Sequence, residues 1–110
     1  MEDGKRQLVS EGRAAEKRGD TKGAGDAYAR AGAHEDAARV YLAAGDYDEA
    51  GKALLQLSGY GASRSTPVDA ARRSLLIKAA ICFSRAGNVP RAVELFVACG
   101  ERGRGVELLR

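Results

Sequence analysis

The sequence predicts an all-α fold, a short solenoid of about seven antiparallel helices that forms a single domain over residues 1–110. Alanine is frequent, tryptophan is absent, and proline and phenylalanine occur twice each, which suits closely packed helices better than a β-sandwich. Glycines recur about every 13 residues, each near the end of an apolar helical pattern. A chain of this length can bury one modest core.

The repeat is visible in four parallel segments that close on a glycine and one following residue: 15–20, 28–33, 41–46 and 83–88. An alanine follows each glycine by five positions and a larger apolar residue follows that alanine by four, as Ala37 and Tyr41 do. A glycine past the last turn adopts the left-handed conformation that ends a helix. Asp20, Asp46 or Asn88 beside the glycine can cap the next helix. The alanine then lets two antiparallel helices approach closely.

The helices follow in chain order from this repeat. The first predicted helix ends before Gly19, and each of the next three ends just before the next glycine of the repeat. Because helices this short rarely persist alone in water, each one needs the packing of its neighbours. The predicted helices are 4–18, 21–31, 34–44, 47–58, 67–86, 89–99 and 104–110.

The fifth helix has the clearest predicted start, and the segment before it is irregular. Thr66 supplies a capping hydroxyl, Pro67 takes the first helical position, and Asp69 places an acid at the third. Residues 58–66 interrupt the strict period. This loop is either a tolerated insertion or a binding loop that exposes Tyr60 and Arg64.

Two turns of the sequence resemble the turn between the helices of a tetratricopeptide repeat. Residues 41–50 carry an aromatic, then Gly-Asp-aromatic, then Glu-Ala, and residues 83–92 repeat the pattern with Asn and Val. Further matches fall on the family's small and apolar positions: Leu8, Gly12, Ala15, Leu76, Ala80 and Phe83. The units are shorter than the family's period of about 34 residues, and the α-solenoids of intraflagellar-transport and coatomer-type proteins have similar turns. The resemblance implies protein–protein interaction, usually through a concave groove lined by the first helix of each pair.

The basic side chains on the first, third and fifth helices are the candidate partner-binding residues. If those helices line a groove, its cations are Arg6, Arg13, Lys17, Arg39, Arg73, Lys78 and Arg85. Arginine pairs with carboxylates through two parallel hydrogen bonds, so this groove favours an acidic peptide or a partner's C-terminal carboxylate. The other interpretation is that these cations only solvate the outer faces of the helices, since the net charge is +3.

The last predicted helix carries a second candidate interface. Leu108 and Leu109 would have no later helix to cover them, whereas solenoids normally finish in a polar cap. Either the chain is a fragment of a larger protein or a module in one, or these leucines pack on a partner. A second copy of the chain would make that contact a homo-oligomer through the C-terminal helix.

The residues assemble no catalytic constellation, so we expect no enzyme activity, no cofactor and no small-molecule substrate. The single histidine, His34, lies in a predicted turn without metal-ligand spacing around it. Residues 19–25 lack the Gly-Lys-Ser/Thr ending of a phosphate loop, and residues 101–105 hold one Arg-Gly segment without aromatic neighbours. Cys82 and Cys99 fall in apolar helical patterns and are expected to be reduced core residues; a disulfide between adjacent helices is the less favoured alternative.

The predicted function is that of a cytoplasmic scaffold or binding module that holds another protein. The first six residues are polar, so no signal peptide is expected, and no apolar run approaches the roughly 20 residues of a membrane span. Two alternatives stay open. One is a nucleic-acid-binding helical repeat, which the small net charge and interspersed acids disfavour. The other is a regulatory domain of a larger enzyme.

Overall fold

The computed structural model describes residues 2–59 and 69–108, and these form seven α-helices without a strand. The all-α prediction is therefore confirmed over the described ranges. The helices are α1 (Glu2–Lys17), α2 (Thr21–Arg30), α3 (His34–Ala44), α4 (Tyr47–Ser58), α5 (Ala70–Arg85), α6 (Val89–Ala98) and α7 (Arg102–Leu108). None of these helices combines the length and apolar character needed to cross a bilayer.

The described helix boundaries lie within two residues of the predicted ones, except that α5 begins at Ala70 rather than at residue 67. Asp69 is its N-cap, with an extended backbone (φ −78°, ψ 175°) and a carboxylate that accepts the Arg72 N–H at 2.7 Å. The cap predicted at Thr66 and Pro67 lies outside the described residues. Within them, Asp69 caps α5, because its carboxylate satisfies a backbone donor of the first turn.

The irregular segment predicted at 58–66 is described only in part. Ser58 is the last residue of α4, and Gly59 ends that helix in the left-handed conformation with φ 72°. The proposed binding loop around Tyr60 and Arg64 lies outside the described residues. At the other end of the chain, α7 begins at Arg102, two residues earlier than predicted.

Glycines close the helices as the repeat predicts. The turn at Gly45 shows the geometry: φ is 76°, Gly45 N–H donates to Leu42 O at 3.1 Å, and Asp46 N–H donates to Tyr41 O at 2.9 Å. This pair of hydrogen bonds satisfies carbonyls that the helix end would leave unpaired. Glycines with positive φ recur at the same point of the repeat: Gly19, Gly32, Gly45, Gly59, Gly87 and Gly100.

Small residues let the helices approach closely. Ala24, Ala37, Ala50 and Ala92, the alanines that follow the turns, are all 0 % exposed. In α2, a Cβ added at Gly25 would lie 2.5 Å from Cε1 of Tyr41, so the ring of α3 occupies the space of the missing side chain. The close approach predicted from the alanine positions is thus present in the packed structure.

Consecutive helices make the extensive contacts along the chain, from α1 with α2 to α6 with α7. The Cα atoms span 43 × 29 × 18 Å with a radius of gyration of 14.9 Å, against about 13 Å for a compact domain of this length. The thin dimension fits about two helix diameters. The core runs along this elongated body, and Phe83, Leu76 and Leu95 are its largest fully buried side chains.

Both cysteines belong to that core, as expected. Cys82 is 5 % exposed and Cys99 is 6 % exposed, and both are free thiols. Burial raises the pKa of each thiol above its ordinary value, since an apolar environment disfavours the thiolate. Raised pKa values of this kind belong to structural cysteines rather than to reactive ones.

Candidate functional site

Arg39 of α3, one of the seven candidate cations, is bound within the molecule to Glu16 of α1. Its Nη1 donates to Oε2 of Glu16 at 3.0 Å and its Nη2 donates to Oε1 at 2.9 Å, a bidentate pair. Tyr28 of α2 donates its hydroxyl to the same carboxylate. Three consecutive helices therefore meet at one carboxylate.

The charges of this cluster stabilise one another. The hydrogen bonds from Arg39 and Tyr28 lower the pKa of Glu16 from 4.5 to about 2. The pKa of Tyr28 is raised, first by burial and then by its hydrogen bond to Glu16. Because the guanidinium of Arg39 already holds a carboxylate, an acid of a partner gains less from it than from a cation without such a pair.

Arg73, near the start of α5, also has hydrogen-bond partners within the molecule. Its Nε donates to the Cys99 carbonyl at 3.0 Å, and its Nη2 pairs with Glu101. These contacts tie the start of α5 to the end of α6. Arg73 thus serves the fold in the same way as Arg39.

Arg85 at the end of α5 is only loosely held. Its guanidinium carbon lies 5.4 Å from the centre of the Tyr47 ring, and its Nη1 is 3.5 Å from the Tyr47 hydroxyl. It has no carboxylate partner among the described residues. An exposed contact of this kind is weak, so Arg85 keeps a charge that a partner can use.

The remaining four candidate cations are exposed and form no hydrogen bond or ion pair within the described part of the chain: Arg6, Arg13, Lys17 and Lys78. Arg6 and Arg13 line a shallow depression on α1 with Lys5, Val9 and Ser10, with a volume of about 330 Å³. Lys78 stands apart from this group, on α5. The structure therefore divides the predicted groove cations into two separate sets.

Lys78 and Arg85 flank an apolar cleft between α3, α4 and α5, which we call the α3–α5 cleft. Its volume is about 190 Å³, and its lining consists of Leu42, Tyr47, Leu54, Lys78, Ile81, Cys82 and Arg85. Leu42 is 41 % exposed and Ile81 is 38 % exposed. The cleft thus combines exposed apolar surface with two cations that have no carboxylate partner in residues 2–59 and 69–108.

A second opening, the α5–α7 cleft, lies on the other side of α5. Its volume is about 360 Å³, and it is lined by Ile81, Ser84, Arg85, Phe96, Arg104, Glu107 and Leu108. Leu108 is half-buried and packs against the core, so it is less open than the predicted interface assumed. Leu109 lies outside the described residues. Ile81 and Arg85 line both clefts, so the two openings lie next to each other along α5.

A further depression, of about 420 Å³, lies between α1 and α2 and is a weaker candidate. Both acidic and basic side chains line it: Glu11, Asp20, Asp26, Arg18 and Arg30. Asp20 is occupied as the cap of α2, where it accepts the Gly23 N–H at 3.0 Å, and Asp26 accepts the Tyr41 hydroxyl. Its charges are thus balanced and partly used by the fold, and they select no partner.

The apolar part of the site was not predicted from the sequence. Leu42, Tyr47 and Ile81 fall on helices where the repeat assigns apolar residues to the core. One signal was present: residues 75–83 are apolar except for Lys78. A helix that is apolar on all sides must be covered on more than its core face, and Ile81 is the residue left exposed.

Within the described residues, no three His, Cys, Asp or Glu side chains are grouped as a metal site would require. His34, the single histidine, is the half-buried first residue of α3. Comparison with protein-family models, with curated proteins and with solved structures gave no match for this chain.

Proposed function

We propose that the chain is a protein-binding module rather than an enzyme, and that it holds an acidic, partly apolar segment of another protein. The observation that carries the proposal is the α3–α5 cleft, where Leu42 and Ile81 are exposed beside Lys78 and Arg85. Large exposed apolar side chains next to cations without a described carboxylate partner favour a partner that supplies both apolar contact and negative charge.

The energetics of this cleft suit a binding role. Complete burial of one fully exposed large aliphatic side chain contributes about 1.5–3 kcal/mol. Leu42 and Ile81 are 41 % and 38 % exposed, so covering what remains of each gives a partner about 1 kcal/mol of apolar contact. Lys78 and Arg85 add specificity and a faster encounter with an acidic segment, because opposite charges steer association. Neither cation must break a carboxylate pair within the described residues before it binds.

The architecture supports a tetratricopeptide-like solenoid of antiparallel helices as the scaffold of this surface. Short turns join α1 to α4 and α5 to α7, contacts run mainly between neighbouring helices, and the body is elongated. Residues of consecutive helices line the two clefts, α3 to α5 in one and α5 to α7 in the other. In the N-terminal half, the Glu16–Arg39 pair bridges α1 and α3, so we assign the binding surface to the C-terminal half.

The test is affinity capture from a lysate of the organism that encodes the chain, with the Lys78→Glu/Arg85→Glu variant beside wild type. Lys22→Glu/Arg30→Glu is the matched control, because it makes the same charge change on exposed residues of α2. Circular dichroism checks that all three proteins keep their helices. The proposal expects a partner that the control retains and the cleft variant loses. Retention of every captured protein by the cleft variant would refute it.

One observation favours nucleic-acid binding as a second candidate function. Lys5, Arg6, Arg13 and Lys17 form an exposed basic strip on α1 without an ion pair to a described residue. Against this reading, the described aromatic rings are buried or half-buried, so none is free to stack on bases. Binding of single- or double-stranded nucleic acid that weakens steeply with salt and is lost in Arg6→Glu/Arg13→Glu would establish this candidate.

A further inference from the structure

α5 forms a ridge between the two clefts. Lys78, Ile81 and Arg85 are spaced i, i+3 and i+7, so their side chains follow one stripe along the helix. Cys82, the neighbour of Ile81 in the stripe, is buried beneath it. Openings of about 190 Å³ and 360 Å³ lie on the two sides of this stripe and share Ile81 and Arg85.

A ridge with a groove on each side is a surface on which another helix can pack. Helices pack by inserting the ridges of one into the grooves of the other, and a helix on α5 would fill both clefts at once. The 1.5 Å rise per residue separates Lys78 from Arg85 by about 10 Å along the axis. A partner helix that follows the same stripe therefore meets these two cations with residues seven positions apart.

The charged groups along the ridge indicate which residues a partner helix needs to pair with them. The exposed ionised groups that line the two clefts are Lys78, Arg85, Arg104 and Glu107. Arg104 lies 3.9 Å from Glu101, the longest of the described ion pairs, whereas Lys78 and Arg85 have no carboxylate partner in the described part. The ridge thus offers two cations about two helical turns apart, with exposed Ile81 between them.

We propose that the segment held by α5 is an amphipathic α-helix of a partner protein. It carries acidic residues at i and i+7 that pair with Lys78 and Arg85, and a large apolar residue at i+3 or i+4 that packs on Ile81. This inference rests on the proposed function and adds the conformation and spacing of the bound segment. An extended segment crosses the same distance in about three residues and would show acids at a spacing of three.

The test is selection of a displayed library of random 16-residue peptides on the full chain, with counter-selection on Ile81→Asp. Enriched peptides should carry acids seven residues apart around an apolar residue. They should gain helical circular dichroism on binding and bind Lys78→Glu/Arg85→Glu at least tenfold more weakly. Changing both peptide acids to lysine should restore binding to that variant by at least tenfold. Lys22→Glu/Arg30→Glu should bind the parent peptides like wild type.

Two results would overturn the inference. One is enrichment of peptides that contain proline and have acids three residues apart. The other is enrichment of peptides whose affinity does not depend on the positions of their acids. Failure of the selection to yield any cleft-dependent helical peptide would also count against it. These failures are distinguishable from failure of the proposed function. If the cleft variant loses its captured protein while no helical peptide binds, the surface is correct and the bound conformation is wrong.

Discussion

Gly25 shows at the scale of single residues how tightly the helices approach. Its missing side chain is replaced by the ring of Tyr41, which is 2 % exposed and whose hydroxyl donates to Asp26. A ring that is buried and hydrogen-bonded in this way cannot move aside cheaply. The glycine is therefore required by the neighbouring helix, although an alanine would favour its own helix.

The first prediction is that Gly25→Ala lowers the free energy of unfolding. Overpacking costs about 1–3 kcal/mol, and the gain in helix propensity offsets about 1 kcal/mol of it, leaving a loss of up to about 2 kcal/mol. Gly103→Ala is the control, since an added Cβ there meets nothing within 4 Å, and it should be neutral or stabilising by up to about 1 kcal/mol. Urea denaturation measures both. Equal stabilisation by the two substitutions would contradict the packing of Gly25 on Tyr41.

The second prediction concerns the pH dependence of the Glu16 cluster. The pKa of Glu16 falls from 4.5 to about 2 in the folded protein, first through Arg39 and then through Tyr28. A folded-state pKa below the unfolded value gives stability that is present above pH 4.5 and is lost as the pH falls through about 2. The difference in unfolding free energy between wild type and Glu16→Gln should therefore shrink between pH 4.5 and pH 2. Denaturant titrations at several pH values measure it, and a difference independent of pH would show that Arg39 does not hold this carboxylate.

At the scale of elements, the start of α5 depends on one cap. Asp69 accepts the Arg72 N–H at 2.7 Å, whereas the capping sequence around Thr66 had predicted an earlier start. The third prediction is that Asp69→Ala costs about 1 kcal/mol, while Asp69→Asn, which can make the same hydrogen bond, costs little. Thermal denaturation followed by circular dichroism compares the two. An equal loss in both variants would mean that Asp69 acts by charge and not as a cap.

The helices whose bounds were predicted correctly are those whose ends are marked by the residues at the ends themselves. α3 and α4 occur over the predicted residues because a glycine in the left-handed conformation ends each of them, and this preference belongs to glycine itself. The start of α5 was misjudged because two capping sequences compete within four residues. Sequence alone does not rank a hydroxyl cap followed by proline against a carboxylate cap.

At the scale of the whole molecule, Phe83 joins the helices on either side of residues 60–68. It is 1 % exposed, its ring lies about 3 Å from where a Cβ on Gly51 of α4 would be, and Arg91 of α6 lies over the same ring at 5.3 Å. Contacts run mainly between consecutive helices, so the α4–α5 interface is the main connection between the two halves.

The fourth prediction is that Phe83→Ala lowers the free energy of unfolding by about 3–5 kcal/mol, a large part of the 5–15 kcal/mol typical of a domain. Phe83→Leu keeps most of the volume and should cost less. Hydrogen exchange should show α5 to α7 losing protection first in the alanine variant. A loss below about 1 kcal/mol would mean that this ring does not join the two halves.

The binding surface could be predicted only in part, because it depends on which arginines the fold uses. Sequence assigned seven cations to one groove. In the structure, Arg39 and Arg73 form ion pairs with carboxylates of the same chain. Lys78 and Arg85 lie instead beside the exposed side chains of Leu42 and Ile81. Partners 23 and 28 residues apart in the chain, such as Glu16 with Arg39 and Arg73 with Glu101, have no local signal. Burial of apolar side chains likewise depends on the neighbouring helices.

The most direct test of the proposed binding surface is lysine footprinting of the chain with its captured partner. The five lysines are spread over the molecule, and Lys78 is the one in the α3–α5 cleft. Acetylation followed by mass spectrometry reports the accessibility of each. The account predicts that the partner protects Lys78 and leaves Lys22 of α2 as reactive as in the free chain. Protection of Lys5 and Lys17 on α1, with Lys78 unchanged, would contradict it.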